Sequence, residues 1–123
     1  MFFRFVVGER DSQSRDFRGI FVAAYDLLYE EDLEPWTREL IRERLDWYEE
    51  ELPLPPHDRF RSGQAICWFK PDAGRMIQRL WPVALAMRES GVPVRVVRRW
   101  DPGRIRYQDR WQVVAVGERT GRR

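Results

Sequence analysis

Two short segments of the chain are apolar on both of the faces that a β-strand presents. FFRFVVG, residues 2–8, is built from aromatic and β-branched residues, and Arg4 is its one polar exception. QAICWFK, residues 64–70, has an apolar core in which successive side chains point to opposite sides. Because a strand with two apolar faces must be covered on both sides, each segment predicts an interior strand of a layered fold.

Three other segments have apolar residues at helical spacing. The first predicted helix covers residues 17–28 with Asp16 as its cap, and the second covers residues 35–52 with Pro35 in its first turn. The third begins after Asp72, contains Pro82 as an expected kink, and ends at Gly91. Each apolar stripe predicts one buried face and one solvated face.

The remaining strands are predicted at residues 92–99, 104–108 and 111–117, with a turn at WDPGR and a tight link between the last two. The resulting order is β-α-α-β-α-β-β-β. We expect an α/β (α+β) fold, a small sandwich of a mixed sheet of four to five strands with three helices. The third helix and its flanking strands predict a βαβ unit with a right-handed crossover.

Length and composition favour one soluble domain. The chain has 123 residues, of which 43% are hydrophobic and six are tryptophan, which is enough for one compact core. We expect a single globular domain over residues 1–117 and a disordered arginine-rich tail over residues 118–123. No apolar run reaches the roughly 20 residues of a bilayer span. With one cysteine and no leader pattern, the interpretation is a cytoplasmic protein that does not bind membranes.

Acidic and basic residues are concentrated in two different regions of the sequence, which we call the acidic pole and the basic pole. Residues 26–51 contain eleven acidic residues against three arginines, and residues 92–123 contain nine arginines against three acidic residues. These poles can neutralise each other within one chain, between two copies or against other partners, and the sequence leaves the three alternatives open.

The lone cysteine, Cys67, is interpreted as a space-filling residue, because its strand is apolar on both sides. A thiol dyad with the only histidine, His57, oriented by Asp58 or Asp72, is the competing hypothesis, but nothing in the spacing requires contact. Asp101 and Asp109 offer a carboxylate pair, although turns alone favour aspartate there. The sequence contains no metal-ligand spacing and no phosphate-binding glycine motif, so it indicates no cofactor, no metal and no assigned catalytic residue.

The strongest binding candidate is a basic hairpin region near the end of the chain. Strand alternation can place several guanidinium groups on one sheet face, with aromatic rings interleaved for base stacking. The candidate binding residues are Arg95, Arg99, Trp100, Arg104, Arg106 and Arg110. They predict nucleic-acid binding through phosphate contacts as one alternative function.

The blocks FRFVVG, AICWFKPDA, GVPVRVV and PGRIRYQDRWQVVA together cover most of the chain. In this order they resemble a family of small uncharacterised bacterial proteins. The resemblance implies a bacterial single-domain protein and carries no activity, cofactor or catalytic residue.

These observations favour a protein-interaction or regulatory module, able to self-associate through its complementary poles, over an enzyme. Nucleic-acid binding and an enzyme of undetected type stay as alternatives. A deep pocket with convergent polar groups would favour an enzyme, in contrast to a flat basic face without such a pocket.

Overall fold

The computed structural model describes residues 1–8, 18–55 and 65–117. In these ranges the chain forms three helices and six strands, one of which has only two residues. In chain order they are β1 (Phe2–Val7), β2 (Arg18–Gly19), α1 (Ile20–Leu27), α2 (Pro35–Glu51), β3 (Ala65–Phe69), α3 (Gly74–Glu89), β4 (Val94–Arg99), β5 (Arg104–Gln108) and β6 (Gln112–Val116). The predicted fold class and order of the main elements are confirmed.

The strand pairings correct one part of the expected sheet. Every pairing among the described strands is antiparallel, so the sheet is not mixed. β3 and β4, which flank α3, run parallel to each other, but β1 lies between them and pairs with both. The prediction treated strands joined by a helix as neighbours, whereas an apolar strand from the start of the chain occupies the position between them.

The two edges of β1 are used differently. One edge pairs with β4 over all six residues, from Phe2 with Arg99 to Val7 with Val94. The other edge is shared, because Phe3 pairs with Phe69 of β3 and then Val6 pairs with Gly19 of β2. β1 and β3 therefore diverge after one registered pair.

The pairing of β2 also moves the start of the first helix. α1 begins at Ile20 with Gly19 as its N-cap, in extended conformation and without a side-chain cap. The predicted cap Asp16 lies outside the described residues. At the third helix the N-cap is Ala73 rather than Asp72, again without a side-chain hydrogen bond, and Pro82 lies inside the helix as expected.

The helices form a layer on one face of the sheet. Apolar residues of α2 and α3 meet there with Phe5 and Phe69 of the sheet, and the Tyr48 hydroxyl donates a hydrogen bond of 2.5 Å to the Met76 carbonyl. The most deeply buried side chains of the two helices are Ile41, Leu45, Met76, Leu80, Val83 and Met87. The predicted stripes of α2 and α3 thus supply the core.

The link between β4 and β5 shows that the sheet is curled. β4 and β5 lie at opposite edges of the strand order, and the link has only four residues, 100–103. In a flat sheet four strand spacings alone would separate them by about 19 Å, and Arg99 and Arg104 also lie at opposite ends of the strands. Five residue steps span at most about 18 Å. The curl accompanies a second buried set on the face opposite the helices, which includes Val6, Trp68, Val113 and Ala115.

No helix in residues 1–8, 18–55 and 65–117 is long and apolar enough to cross a membrane. The predicted tail over residues 118–123 lies outside the described ranges. The domain boundary at residue 117 stays a prediction.

The tight β4–β5 link generates a stability prediction. Gly103 has φ +108°, and a Cβ there would lie 2.3 Å from the Val116 carbonyl oxygen, whereas Gly91 has φ +93° with open space around it. We expect Gly91→Ala to cost about 1–2 kcal/mol of unfolding free energy from backbone strain alone. Gly103→Ala should cost more than about 3 kcal/mol, since strain and overlap add.

Urea unfolding of the two variants measures the difference. Gly74→Ala is the control, because Gly74 lies at the start of α3 with nothing near its Cβ position, and it should be neutral or stabilising by up to about 1 kcal/mol. Equal losses for Gly103→Ala and Gly91→Ala would contradict the close approach.

Candidate functional site

A pocket opens where β1 and β3 diverge. It has a volume of about 900 Å³ and lies between the split in the sheet, α1 and the end of α2. We call it the split-sheet pocket. Its sheet wall is formed by Arg4, Phe5, Ala65, Ile66, Cys67 and Gln112, and its helix wall includes Ile20, Phe21, Leu45 and Tyr48. The split that β2 imposes on the sheet thus provides the space.

The mouth of the pocket is open to solvent and carries both apolar and acidic side chains. Val22 of α1 is 57% exposed, and Leu54, just after α2, is 91% exposed. Both side chains line the pocket, as do the exposed carboxylates of Glu49, Glu50 and Glu51 at the end of α2. The Tyr25 hydroxyl donates a hydrogen bond to Glu49, and burial followed by that carboxylate raises the pKa of Tyr25 to about 12.

The floor contains a buried glutamine whose hydrogen bonds are used within the protein. Gln112 is 2% exposed. Its Nε2 donates to the Pro53 carbonyl at 2.6 Å and to Asp109 Oδ2 at 3.0 Å, and its Oε1 accepts from the Cys67 thiol at 2.9 Å. Gln112 therefore joins β3, β6 and the segment after α2 at one point. Because these hydrogen bonds are partly buried, losing the amide would leave Cys67 and Asp109 with fewer partners at a cost in stability.

Asp109 completes this network from the β5–β6 turn. It accepts hydrogen bonds from the backbone N–H groups of Trp111 and Gln112, from the Tyr107 hydroxyl and from the Gln112 amide. Burial acts to raise the pKa of Asp109, but the hydrogen bonds outweigh it and hold that pKa below its ordinary value. Asp109 is thus a structural anion of the turn, as turn chemistry predicts. Asp101, the other candidate carboxylate, accepts from the Gly103 N–H at 2.9 Å within its own turn.

Cys67 is more than a space-filling residue. Its side chain is half-buried on the pocket wall and donates to Gln112. Burial, with a smaller contribution from the charge of Asp109, raises the pKa of the thiol to about 12, and Arg4 opposes this shift only weakly. The prediction of an unreactive thiol agrees with this environment. The prediction that the surroundings of the thiol are purely apolar is wrong, because residues 109 and 112 bring polar groups to β3.

Arg4 is the cationic side chain on the described pocket wall. Its backbone lies on β1 between the pair with β3 and the pair with β2. Its Nη2 is 3.9 Å from the position that a Cβ on Gly19 would take. Burial lowers the pKa of Arg4, although the group stays charged at any physiological pH.

The predicted basic hairpin is divided between two strands at opposite edges of the sheet order. Arg95 and Arg99 lie on β4, whereas Arg104 and Arg106 lie on β5. The short link carries Trp100, which is 78% exposed.

The other candidate arginines make separate contacts. Arg110 stacks on Trp111 with its guanidinium carbon 4.4 Å from the ring centroid. Arg95 also lines a smaller pocket of about 350 Å³ with Trp81 and Arg98. The structure brings Arg99, Trp100 and Arg104 to the ends of one link, and their binding role stays a prediction.

Arginines of the helix layer and of β4 contact aromatic rings. Arg79 lies over Trp47 at 4.5 Å and Arg75 over the same ring at 5.6 Å, while Arg98 lies 5.6 Å from the centroid of Phe3. Arg44 of α2 forms an ion pair of 3.4 Å with its neighbour Glu43. The ring contacts join α3 to α2 and β4 to β1, and the ion pair lies within α2. Because none of these contacts joins the acidic pole to the basic pole, their pairing stays an untested alternative.

The described residues bear on two further chemical hypotheses, the thiol dyad and a metal site. His57 and Asp58 of the thiol dyad lie outside the described residues, and Asp72 is exposed at the start of α3. Within the described ranges, no three His, Cys, Asp or Glu side chains are grouped closely enough to hold a metal ion.

Comparison with protein-family models gives no match, and comparisons with curated proteins and with solved structures give no significant match. The resemblance to a family of small bacterial proteins therefore stays a prediction.

Sequence reasoning did not identify the pocket, although two signals of it were present. Arg4 lies within the otherwise apolar strand FFRFVV, and Gln112 begins the otherwise apolar strand QVVAV. A polar side chain at such a position needs a partner or a cavity. Which of the two it has depends on strand pairing that the sequence pattern does not contain.

The environment of Cys67 generates a pH prediction. The thiol pKa in the folded protein, about 12, lies above the ordinary value of 9.0, so at pH 8 the folded thiol should react with iodoacetamide at least about 100-fold more slowly than in urea. The folded state also holds the thiol proton more tightly. Its stabilising contribution is therefore complete below pH 9.0 and is lost as the pH rises to about 12.

Alkylation followed by mass spectrometry measures the rates. Cys67→Ser is the control for modification elsewhere, and it should cost only about 1 kcal/mol because serine retains a donor for Gln112. Rapid modification of the folded protein at neutral pH would contradict the burial of the thiol.

Proposed function

We propose that this protein is a non-catalytic module that binds a small, largely apolar molecule in the split-sheet pocket. The observation that carries the proposal is the size and lining of that pocket, about 900 Å³ with mainly apolar walls and a few polar groups on its floor. Sites for small ligands have volumes of roughly 300–1,000 Å³ and this kind of lining.

Burial of apolar surface would stabilise a ligand in the pocket. Protein interiors are close-packed, and apolar walls around an unfilled space lose the contacts that a core provides. Here Ile20, Phe21 and Ile66 present apolar atoms to the pocket. An apolar ligand would recover those contacts and remove that surface from water.

The polar groups of the pocket suit binding better than catalysis. The Cys67 thiol has a pKa of about 12, so it is protonated at neutral pH and a weak nucleophile. Asp109 is engaged by four donors, and the Gln112 amide uses both N–H groups within the protein. Groups fixed in this way shape a pocket and do not transfer protons readily.

This proposal is a specific form of the regulatory module expected from the sequence. A cytoplasmic location, a bacterial source and self-association through the charged poles remain proposals that rest on sequence alone.

A neutral hydrophobic dye tests the proposal. N-phenyl-1-naphthylamine should bind saturably with one site per chain and gain fluorescence, because its rings leave water for an apolar wall. Gly19→Leu should abolish this binding, since Gly19 lines the pocket and a Cβ there meets only the Arg4 side chain, at 3.9 Å.

Gly74→Leu is the matched control. Gly74 also lies at the start of a helix with open space at its Cβ position, but it does not line the pocket. Binding that survives in Gly19→Leu, or that is lost equally in Gly74→Leu while both variants unfold cooperatively, would contradict the assignment.

The exposure of Trp100 favours a second candidate function, nucleic-acid binding. This indole is 78% exposed, and Arg99, Arg104 and Arg106 beside it are exposed as well. An exposed ring among guanidinium groups can stack on a base while the cations contact phosphates.

Salt dependence tests this second candidate. In oligo-dT titrations, the double change Arg99→Ala with Arg104→Ala should flatten the slope of log K against log salt by roughly one to two units. The control changes Arg42 and Arg88, two exposed helix arginines, and should leave the slope unchanged. Failure to retain DNA or RNA at about 20 mM salt would remove this candidate, because charges are then screened least.

A further inference from the structure

The split-sheet pocket has an uneven distribution of charge. Its positive charge, Arg4, is half-buried in the sheet at the split between β1 and β3. Its negative charges, Glu49, Glu50 and Glu51, are exposed at the C-terminal end of α2. A ligand that enters between α1 and α2 therefore passes carboxylates first and meets a guanidinium last.

The other side-chain donors on the described lining are already used. Tyr48 donates to the Met76 carbonyl, Tyr25 to Glu49, Cys67 to Gln112, and the Gln112 amide to Pro53 and Asp109. Arg4 also interacts within the chain. On the described lining it is the one cationic side chain, and its guanidinium carries five N–H donors.

Local geometry keeps space beside this guanidinium. Residue 19 lies on β2 next to the split, has extended backbone with φ −68° and could be any amino acid, yet it is glycine. A Cβ there would stand 3.9 Å from Arg4 Nη2, so any longer side chain would compete for the same volume. Burial of Arg4 also weakens the screening of its charge by water, which strengthens a paired contact with an anion.

We propose that the pocket selects amphipathic monocarboxylic acids, with the carboxylate paired to Arg4 at the sheet and the apolar body along α1 and α2. This inference rests on the proposed function and adds the ligand class to it. The pairing is the two-bond contact that guanidinium and carboxylate groups form readily. A second anionic group at the far end of the ligand would face Glu49, Glu50 and Glu51, so dicarboxylates of the same length should bind poorly.

Competition against N-phenyl-1-naphthylamine tests the ligand class with compounds of one chain length. At pH 8, decanoate should displace the dye at a concentration about tenfold or more below that needed for 1-decanol. Decylamine and the ten-carbon dicarboxylate should be weaker than decanoate. Equal potency of decanoate and decanol, or a preference for the amine, would overturn the inference while leaving the dye site itself intact.

Substitutions at Arg4 locate the selectivity. Arg4→Gln should bring decanoate and decanol to within about twofold of each other while dye binding persists, and Arg4→Lys should retain part of the preference. The matched control is Arg106→Gln, an exposed arginine of β5 that does not line the pocket, which should leave the preference unchanged. A preference that survives in Arg4→Gln would overturn the role of Arg4.

The outcomes separate the two proposals. Absence of dye binding to the unsubstituted protein would remove the proposed function, and the ligand class with it. If Arg4→Gln does not fold, the comparison of decanoate, decanol and decylamine on the unsubstituted protein still decides the ligand class.

Discussion

One edge of a single strand, β1, is shared by two partners, and the arrangement of the pocket depends on that division. β4 occupies the other edge of β1 over its full length. On the shared edge β3 keeps only the pair of Phe3 with Phe69, because β2 takes the backbone groups of Val6 and Val7. Backbone groups in a sheet must be paired, so β3 can be displaced only where another strand replaces it. The two-residue strand β2 satisfies that requirement and permits the opening.

The displaced strand is held by polar contacts as well as by its other neighbour. β3 pairs with β6 over five residues, and Gln112 of β6 adds side-chain hydrogen bonds to Cys67 and to Pro53. A hydrogen-bonded polar network in a partly buried position favours one arrangement over its alternatives, since its buried member Gln112 is costly to leave unpaired. The same residues that fix β3 away from β1 therefore also form the floor of the pocket.

The parts of the fold that depend on local pattern were predictable. Helical periodicity gave α2 and α3, and apolar runs gave β1 and β3, because burial of a face repeats every 3.6 or 2 residues whatever it packs against. Strand order was not predictable in this way, since β1 meets β4 across nearly the whole described chain and nothing local to either strand specifies the other. The expected mixed sheet failed for this reason, and so did the start of α1, where pairing of Gly19 with Val6 overrides the helical pattern.

The long separation between β1 and β4 has a consequence for synthesis. The strand at residues 2–7 has its longest ladder with residues 94–99, so on the ribosome it must wait until most of the domain has been made. Contacts of this kind slow folding, because a long loop must close before the ladder forms. During that interval the edge of β1 that pairs with β4 is open and is a target for intermolecular pairing. A nascent chain of this protein thus leaves one edge of β1 exposed until residue 99 has left the exit tunnel.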